Sequence, residues 1–423
     1  MKLFRKGLLF LCCFFFCAAG SASNILIPMD AESQKNHLKA YGITYWSLKS
    51  NVKVQWLLNY RGGSFLFPDS EELRKECQIR GVSFEVISDN KTEEILSEIS
   101  SPSRNMEAVL LEKAPKIAVY SPDGNLPWDD AVTMVLTYAE IPYEVIFDKE
   151  VMLGDLPKYD WLHLHHEDFT GQYGKFYANY KYAPWYQEQQ REYEAVAAEF
   201  GFKKVSKLKL AVVHKIRDFV SGGGFLFAMC SATDTYDIAL AAENVDIVEE
   251  MFDGDPADPR AQEKLDFTNT FAFENFKIER NAYEYEYSNI DNQPQERGLP
   301  QSNDYFTLFD FSAKWDPIPT MLTQNHTKTV KGFMGQTTAF KKSLVKPDVL
   351  ILGETSSIDE ARYIHGVYGK GFWTFYGGHD PEDYQHFVEE EHTDLNLHPN
   401  SPGYRLILNN ILFPAAKKKK QKT

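Results

Sequence analysis

Short apolar runs and longer amphipathic stretches alternate along this chain, the mark of strands and helices packed in layers. In the first part, residues 25–28, 54–60 and 82–87 read as strands and 37–49 and 71–80 as helices. That β-α-β-α-β order predicts parallel pairing in a small α/β unit over 23–113. From Lys116 the rhythm is that of a doubly wound, mainly parallel sheet. Strands are expected at 117–120, 143–147, 161–166 and 225–230, with helices at 128–139, 184–200, 206–220 and 234–242. Residues 252–345 break this rhythm with short alternating runs such as 271–278 and 283–287, which predict a β-rich insertion. The sheet resumes at 348–352, 361–367 and 372–376, and a helix at 403–412 closes it, so the main α/β domain spans 114–251 and 346–414. Such sheets bind ligands beyond the carboxyl ends of their strands.

With 423 residues, 43% of them hydrophobic and 14% aromatic, the chain can build more than one core and is not disordered as a whole. Its formal net charge of -15 repels phosphate backbones and argues against nucleic acid as a partner. The N-terminus has the layout of a signal peptide over 1–22: Lys2, Arg5 and Lys6, an apolar run from Leu8 to Ala19, then Gly20-Ser21-Ala22. The protein is therefore expected to be exported, periplasmic or extracellular. Phe14-Phe15-Phe16 before Cys17 disfavour a lipoprotein, and no later stretch predicts stable membrane insertion. Residues 415–423, with Lys417 to Lys420 and Lys422, read as a basic disordered tail. Of the five cysteines, Cys12, Cys13 and Cys17 fall in the leader, which leaves Cys77 and Cys230.

Cys230 follows a glycine-lined strand and precedes a helix. A thiol there gains from the positive end of the helix dipole, and first-turn N–H groups near Ser231 can hold an oxyanion. His379 ends a second strand after Gly377-Gly378 and is the expected base, with Asp380 or Glu382 as its orienting carboxylate. His163, His165, His166, Glu167 and Asp168 close another strand. The alternatives for this cluster are pocket lining by His165, His166 and Glu167, ordinary packing, or a metal site. Asp129 and Asp130 read as helix-capping residues.

The cysteine at a strand-to-helix elbow and the late strand ending in histidine resemble class I glutamine amidotransferases over roughly 116–250 and 348–413. That resemblance implies a flavodoxin-like sheet with Cys230 as nucleophile and His379 as its partner. Met229 and Ser231 stand where those enzymes carry glycines. At whole-chain level, segments such as Asn59-Tyr60-Arg61-Gly62-Gly63-Ser64 and Trp161-Leu162-His163-Leu164-His165-His166 resemble an exported bacterial family often labelled asparagine synthetase B. Asparagine synthesis is not expected, because the N-terminal catalytic cysteine and the Ser-Gly-Gly-x-Asp-Ser loop of true synthetases are absent. The expectation is a cysteine-dependent amide or ester hydrolase with no cofactor or metal, acting on a small amide or peptide-like ligand. The alternatives are a non-catalytic protein binding a ligand or protein partner on the same fold, and a metal-dependent hydrolase centred on His163–Asp168.

Overall fold

The computed structural model describes residues 23–122, 128–292 and 294–416. The leader over 1–22 and the lysines of the basic tail lie outside the described residues. The chain is a mixed α/β protein, and its described residues form two sheets, one of them containing a block of parallel strands.

The first sheet comprises β1 (Ser23–Ile27), β2 (Val54–Leu58), β3 (Ser64–Pro68), β4 (Glu85–Ser88) and β5 (Glu107–Leu111), in the order β4-β1-β3-β2-β5. Every pairing is antiparallel, which corrects the parallel arrangement predicted from the sequence. The cause is β3. The turn after β2 holds Asn59, Arg61, Gly62 and Gly63 at positive φ and reverses the chain at once. Ser64, Phe65 and Leu66 then pair back on β2, and Phe65 to Pro68 pair with β1 on the other side, so β3 separates the two.

The second sheet carries β6 (Ile117–Tyr120), β7 (Glu144–Ile146), β8 (Trp161–Leu164), β9 (Phe225–Met229), β10 (Tyr305–Leu308), β11 (Thr329–Lys331), β12 (Phe340–Lys341), β13 (Leu350–Thr355), β14 (Glu360–Tyr368) and β15 (Gly371–Tyr376). The order is β11-β10-β13-β14-β15-β9-β8-β6-β7, with β12 beside β14. Strands β15, β9, β8, β6 and β7 are parallel, and the other pairings are antiparallel. In β6, β8, β9 and β15 both faces are buried, as covered parallel sheets require, while the edge strand β7 leaves Glu144 and Val145 exposed. Val119, Trp161, Phe227 and Met229 join one core with residues of the helices His37–Lys49, Ala131–Tyr138 and Pro402–Leu412. Their neighbours Ala118, Tyr120, Leu162, Leu226 and Ala228 join the opposite core with Val212, Val213 and Ile216 of the helix Val205–Gly222. Period-two alternation thus feeds two layers at once. No helix among the described residues is long and apolar enough to cross a membrane.

Residues 252–345 depart from the β-rich expectation. Their named strands are only the short β10, β11 and β12, which sit at the antiparallel side of the main sheet. The alternating runs at 271–278 and 283–287 form no strand, because side chains take the donors a partner strand would use. Asp237 accepts from the N–H groups of Phe271, Ala272 and Phe273, and Gln262 accepts from Ile278. The buried side chains of Phe271, Phe273 and Phe276 pack the core instead.

Candidate active site

The site gathers at the carboxyl ends of β6, β8, β9 and β15. Cys230 follows β9 with φ at +49°, left-handed backbone that is strained for a residue with a side chain. Its neighbours on both sides hold that turn in place. The Cys230 N–H donates to Gly378 O at 3.1 Å, beyond β15, and the Ala232 N–H donates to His165 O at 2.9 Å, beyond β8. The result has the geometry of a nucleophile elbow without the flanking glycines that normally relieve it. Ser231 is buried just before the helix Ala232–Ala241, and its N–H has no acceptor among the described residues.

The 252–345 segment returns to cover the thiol. The Gln336 N–H donates to Cys230 Sγ at 3.3 Å, while the Gln336 amide donates to the carbonyls of Gly174 and Tyr285. Gly335 must be glycine here: a Cβ would stand 2.9 Å from His379 N and 3.1 Å from Cys230 Sγ.

A ring nitrogen of His379 lies within 4.8 Å of Cys230 Sγ. The carboxylate partner of His379 is Asp129, whose Oδ1 is 2.9 Å from Nε2, and both side chains are buried. Burial works against the charged imidazole, yet the hydrogen bond to Asp129 and the contact with Cys230 outweigh it and push His379 up to about 10. Burial likewise disfavours the Asp129 carboxylate, and His379 overcomes it to hold Asp129 below its ordinary range. His386 stacks on His379 with ring centres 4.4 Å apart.

Neither sequence candidate for the orienting acid fills that role. Asp380 is fully buried, with Oδ1 accepting from the Glu382 N–H at 2.9 Å, and Glu382 pairs with His398 at 3.1 Å. Both lie beyond the turn at Gly377-Gly378, and the carboxylate comes from the loop after β6. Sequence reasoning read Asp129 and Asp130 together as a helix cap, which holds for Asp130 alone. Asp130 Oδ1 accepts from Val132 and Thr133, and its Oδ2 lies 3.3 Å from His163 Nε2 and 3.4 Å from His165 Nδ1. The signal for Asp129 was its position between a strand end and a capped helix, a spot where ligands bind.

His165 and His166 stack at 3.9 Å beside His379, at centroid distances of 4.8 and 4.6 Å. Burial lowers His165 to about 4, with Asp130 opposing it, and burial holds His166 well below its ordinary range. His166 Nε2 is 2.7 Å from the Asp129 carbonyl, and His166 lines the cleft with Cys230, Ser231 and His379. Glu167 does not line it: its side chain borders a separate cavity with Asp168 and Tyr193, where burial pushes it up to about 8.

The cleft has a volume of about 490 Å³ and is walled by Trp128, Phe176, Tyr285, Glu286 and Gln336 among others. Burial, then the nearby carboxylates of Asp291 and Asp234, push Glu286 up to about 9. A cysteine thiol, a histidine paired with a carboxylate, and the unpaired N–H of Ser231 thus meet at one cleft of small-molecule size.

No protein-family model and no curated protein matches the sequence. Among solved structures, the cytoplasmic protein STM3548 from Salmonella typhimurium is 11% identical, covers 72% of this chain and all of its own length, and aligns with a TM-score of 0.31. The cytoplasmic protein STM1381 from Salmonella typhimurium LT2 is 12% identical over 71% of this chain, with a TM-score of 0.33. Gan42B, a GH42 beta-galactosidase from G. stearothermophilus, is 12% identical over 63% of this chain, which spans only 28% of that protein, with a TM-score of 0.27. Likenesses this distant carry no argument about function.

Proposed function

We propose that this protein is an exported, cysteine-dependent amide or ester hydrolase on a doubly wound, class I glutamine amidotransferase-like sheet. The observation that carries the reading is Cys230 at a strained elbow, with a His379 ring nitrogen within 4.8 Å and Asp129 bonded to that ring at 2.9 Å. A nucleophile, a base and an orienter in that relation make a catalytic triad.

With the thiol proton already resting on His379, Cys230 Sγ attacks the substrate carbonyl carbon as the thiolate. The carbonyl oxygen takes the negative charge, and the Ser231 N–H is the donor available to it. The intermediate collapses as the carbon–nitrogen or carbon–oxygen bond breaks, and His379 returns its proton to the leaving amine or alcohol. Water, deprotonated by His379, then attacks the thioester; the carbon–sulfur bond breaks and the acid leaves. Asp129 holds the imidazole in one orientation and stabilises its charged form throughout. The cleft volume of about 490 Å³ suits a small amide or peptide-like substrate. Asparagine synthesis is not part of the reading.

The test is a panel of activated esters and short amides, read by product release and by intact mass. An acyl adduct that maps to Cys230 and vanishes in Cys230→Ala supports the reading. Equal turnover by wild type and Cys230→Ala, or no adduct with any substrate, refutes it.

A further inference from the structure

Three histidines and the cysteine at this site do more than a triad needs. One ligand atom from each of His165, His166, Cys230 and His379 lies within 4.8 Å of the others. Two of these histidines have no part in the proton transfers proposed above. His165 is 1% exposed, and its Nε2 has no hydrogen-bond partner among the described residues. A buried imidazole nitrogen aimed at no acceptor or donor calls for a ligand.

The opposite nitrogens of His379 and His166 are already hydrogen-bonded, and that of His165 makes no hydrogen bond but faces a carboxylate. His379 Nε2 is bonded to the Asp129 carboxylate, His166 Nε2 to the Asp129 carbonyl, and His165 Nδ1 faces Asp130 Oδ2 at 3.4 Å. This is the arrangement that orients histidines around a metal: one nitrogen on a carboxylate or carbonyl, the other left for the ion. The nitrogens left are His379 Nδ1, His166 Nδ1 and His165 Nε2. We infer that these three nitrogens and Cys230 Sγ form a tetrahedral site for a zinc-type divalent cation.

The donor set decides the class of cation. Three imidazoles and a thiolate suit zinc and its neighbours among the borderline metals, and they suit neither calcium nor magnesium, which take oxygen. With bonds of about 2.0–2.3 Å to zinc, the ligand atoms of a tetrahedron stand about 3.3–3.7 Å apart. Drawing in from 4.8 Å or less asks each ligand to move by under about 1 Å. Binding needs a thiolate and a neutral imidazole, so it releases to solvent the proton that Cys230 and His379 share, and it commits the sulfur lone pair to the ion. The metal-bound protein is therefore a latent form in which Cys230 attacks neither substrate nor alkylating reagent. Removing the ion restores the nucleophile. The metal site does not depend on the hydrolase reading, since it needs only the four side chains.

The experiment uses the folded full chain, stripped with a chelator and titrated with Co²⁺ as a spectroscopic stand-in for Zn²⁺. The expected result is one equivalent bound, with a thiolate-to-cobalt charge-transfer band that Zn²⁺ abolishes by displacement. The band is absent in Cys230→Ser, and His165→Gln binds about 100-fold more weakly. Iodoacetamide labelling of Cys230, mapped by peptide mass, is blocked by one equivalent of Zn²⁺ and restored by chelation. Failure of the wild-type protein to bind one equivalent overturns the inference. So does binding without a thiolate band, which would put the ion on another group such as Asp129, His379 and His386. The wild-type band decides the matter even where His165→Gln does not fold. A band without turnover by the stripped protein would sink the hydrolase reading alone; turnover without a band would sink the metal site alone.

Discussion

Replacing Asp129 by asparagine tests the carboxylate that sequence reasoning missed, without any knowledge of the substrate. The change is nearly isosteric and removes the charge 2.9 Å from His379 Nε2 in a buried pair. His379 stands at about 10 against an ordinary 6.5. That rise corresponds to about 5 kcal/mol in favour of the imidazolium, at about 1.4 kcal/mol for each tenfold change. Asp129 and Cys230 both act against burial to produce it, and an even share for Asp129 is on the order of 2–3 kcal/mol.

The sign follows from the direction of the shift. A group whose folded value is raised gives stability that is fully present below its unfolded value and is lost as pH rises through the folded one. For His379 the window runs from pH 6.5 to about 10. In Asp129→Asn only Cys230 is left to oppose burial, His379 falls, and the Asp129 contribution is gone. The stability difference between wild type and variant is thus expected to be largest near pH 6, and to shrink by about 2–3 kcal/mol by pH 10. Urea unfolding at half-unit pH steps measures it, and titrating groups remote from the Cys230–His379 pair cancel in the difference. NMR titration of the His379 ring gives the same quantity directly. A stability difference that stays constant from pH 6 to pH 10, or a wild-type His379 that is neutral at pH 7, would refute the reasoning.

Other expectations rest on single contacts. Against any substrate found for the protein, Asp129→Asn should lower turnover by about 10²–10⁴-fold, whereas Glu382→Gln, which alters the His398 pair, should change it by less than about threefold; equal losses would return Glu382 to the triad. Because Cys230 sits at φ +49°, Cys230→Gly should unfold at higher urea than Cys230→Ala, by about 1 kcal/mol in stability, although both lack the thiol. Lys209 and Asp148 form a salt bridge at 2.9 Å with both side chains 1% exposed, so Lys209→Met should cost about 3–5 kcal/mol, seen as a lower urea midpoint. A loss below about 1 kcal/mol would mean that Asp148 takes up a proton and the pair matters little.

What the sequence conveyed about the site follows from how each residue reaches it. Cys230 and His379 end runs that are buried on both faces, and a buried strand followed at once by a turn is visible in one dimension. The register of β9 on β15, with Met229 opposite Tyr376, brings those two ends level. Asp129 carries no such mark. It lies 250 positions before His379, and its neighbour Asp130 does cap the next helix, so the local pattern was fully explained without it. What joins it to the site is strand order, which no local window contains: β15, β9, β8 and β6 are consecutive in the sheet. Their ends therefore deliver His379, Cys230, His165 with His166, and Asp129 in a row. Asp129 closes that row by reaching over the histidines to His379. The misread elements share a related cause. Strand β3 was hidden because its three apolar residues follow at once on the turn after a strand expected to run to Tyr60, and its insertion made its pairings with β1 and β2 antiparallel. Residues 271–278 alternate as a strand would, but Asp237 supplies the acceptors and no partner strand is needed. In each case a long-range partner overrode a local pattern that was otherwise sound. The same holds for Gln336, whose N–H on Cys230 Sγ makes the 252–345 segment part of the site although nothing in its own composition points there.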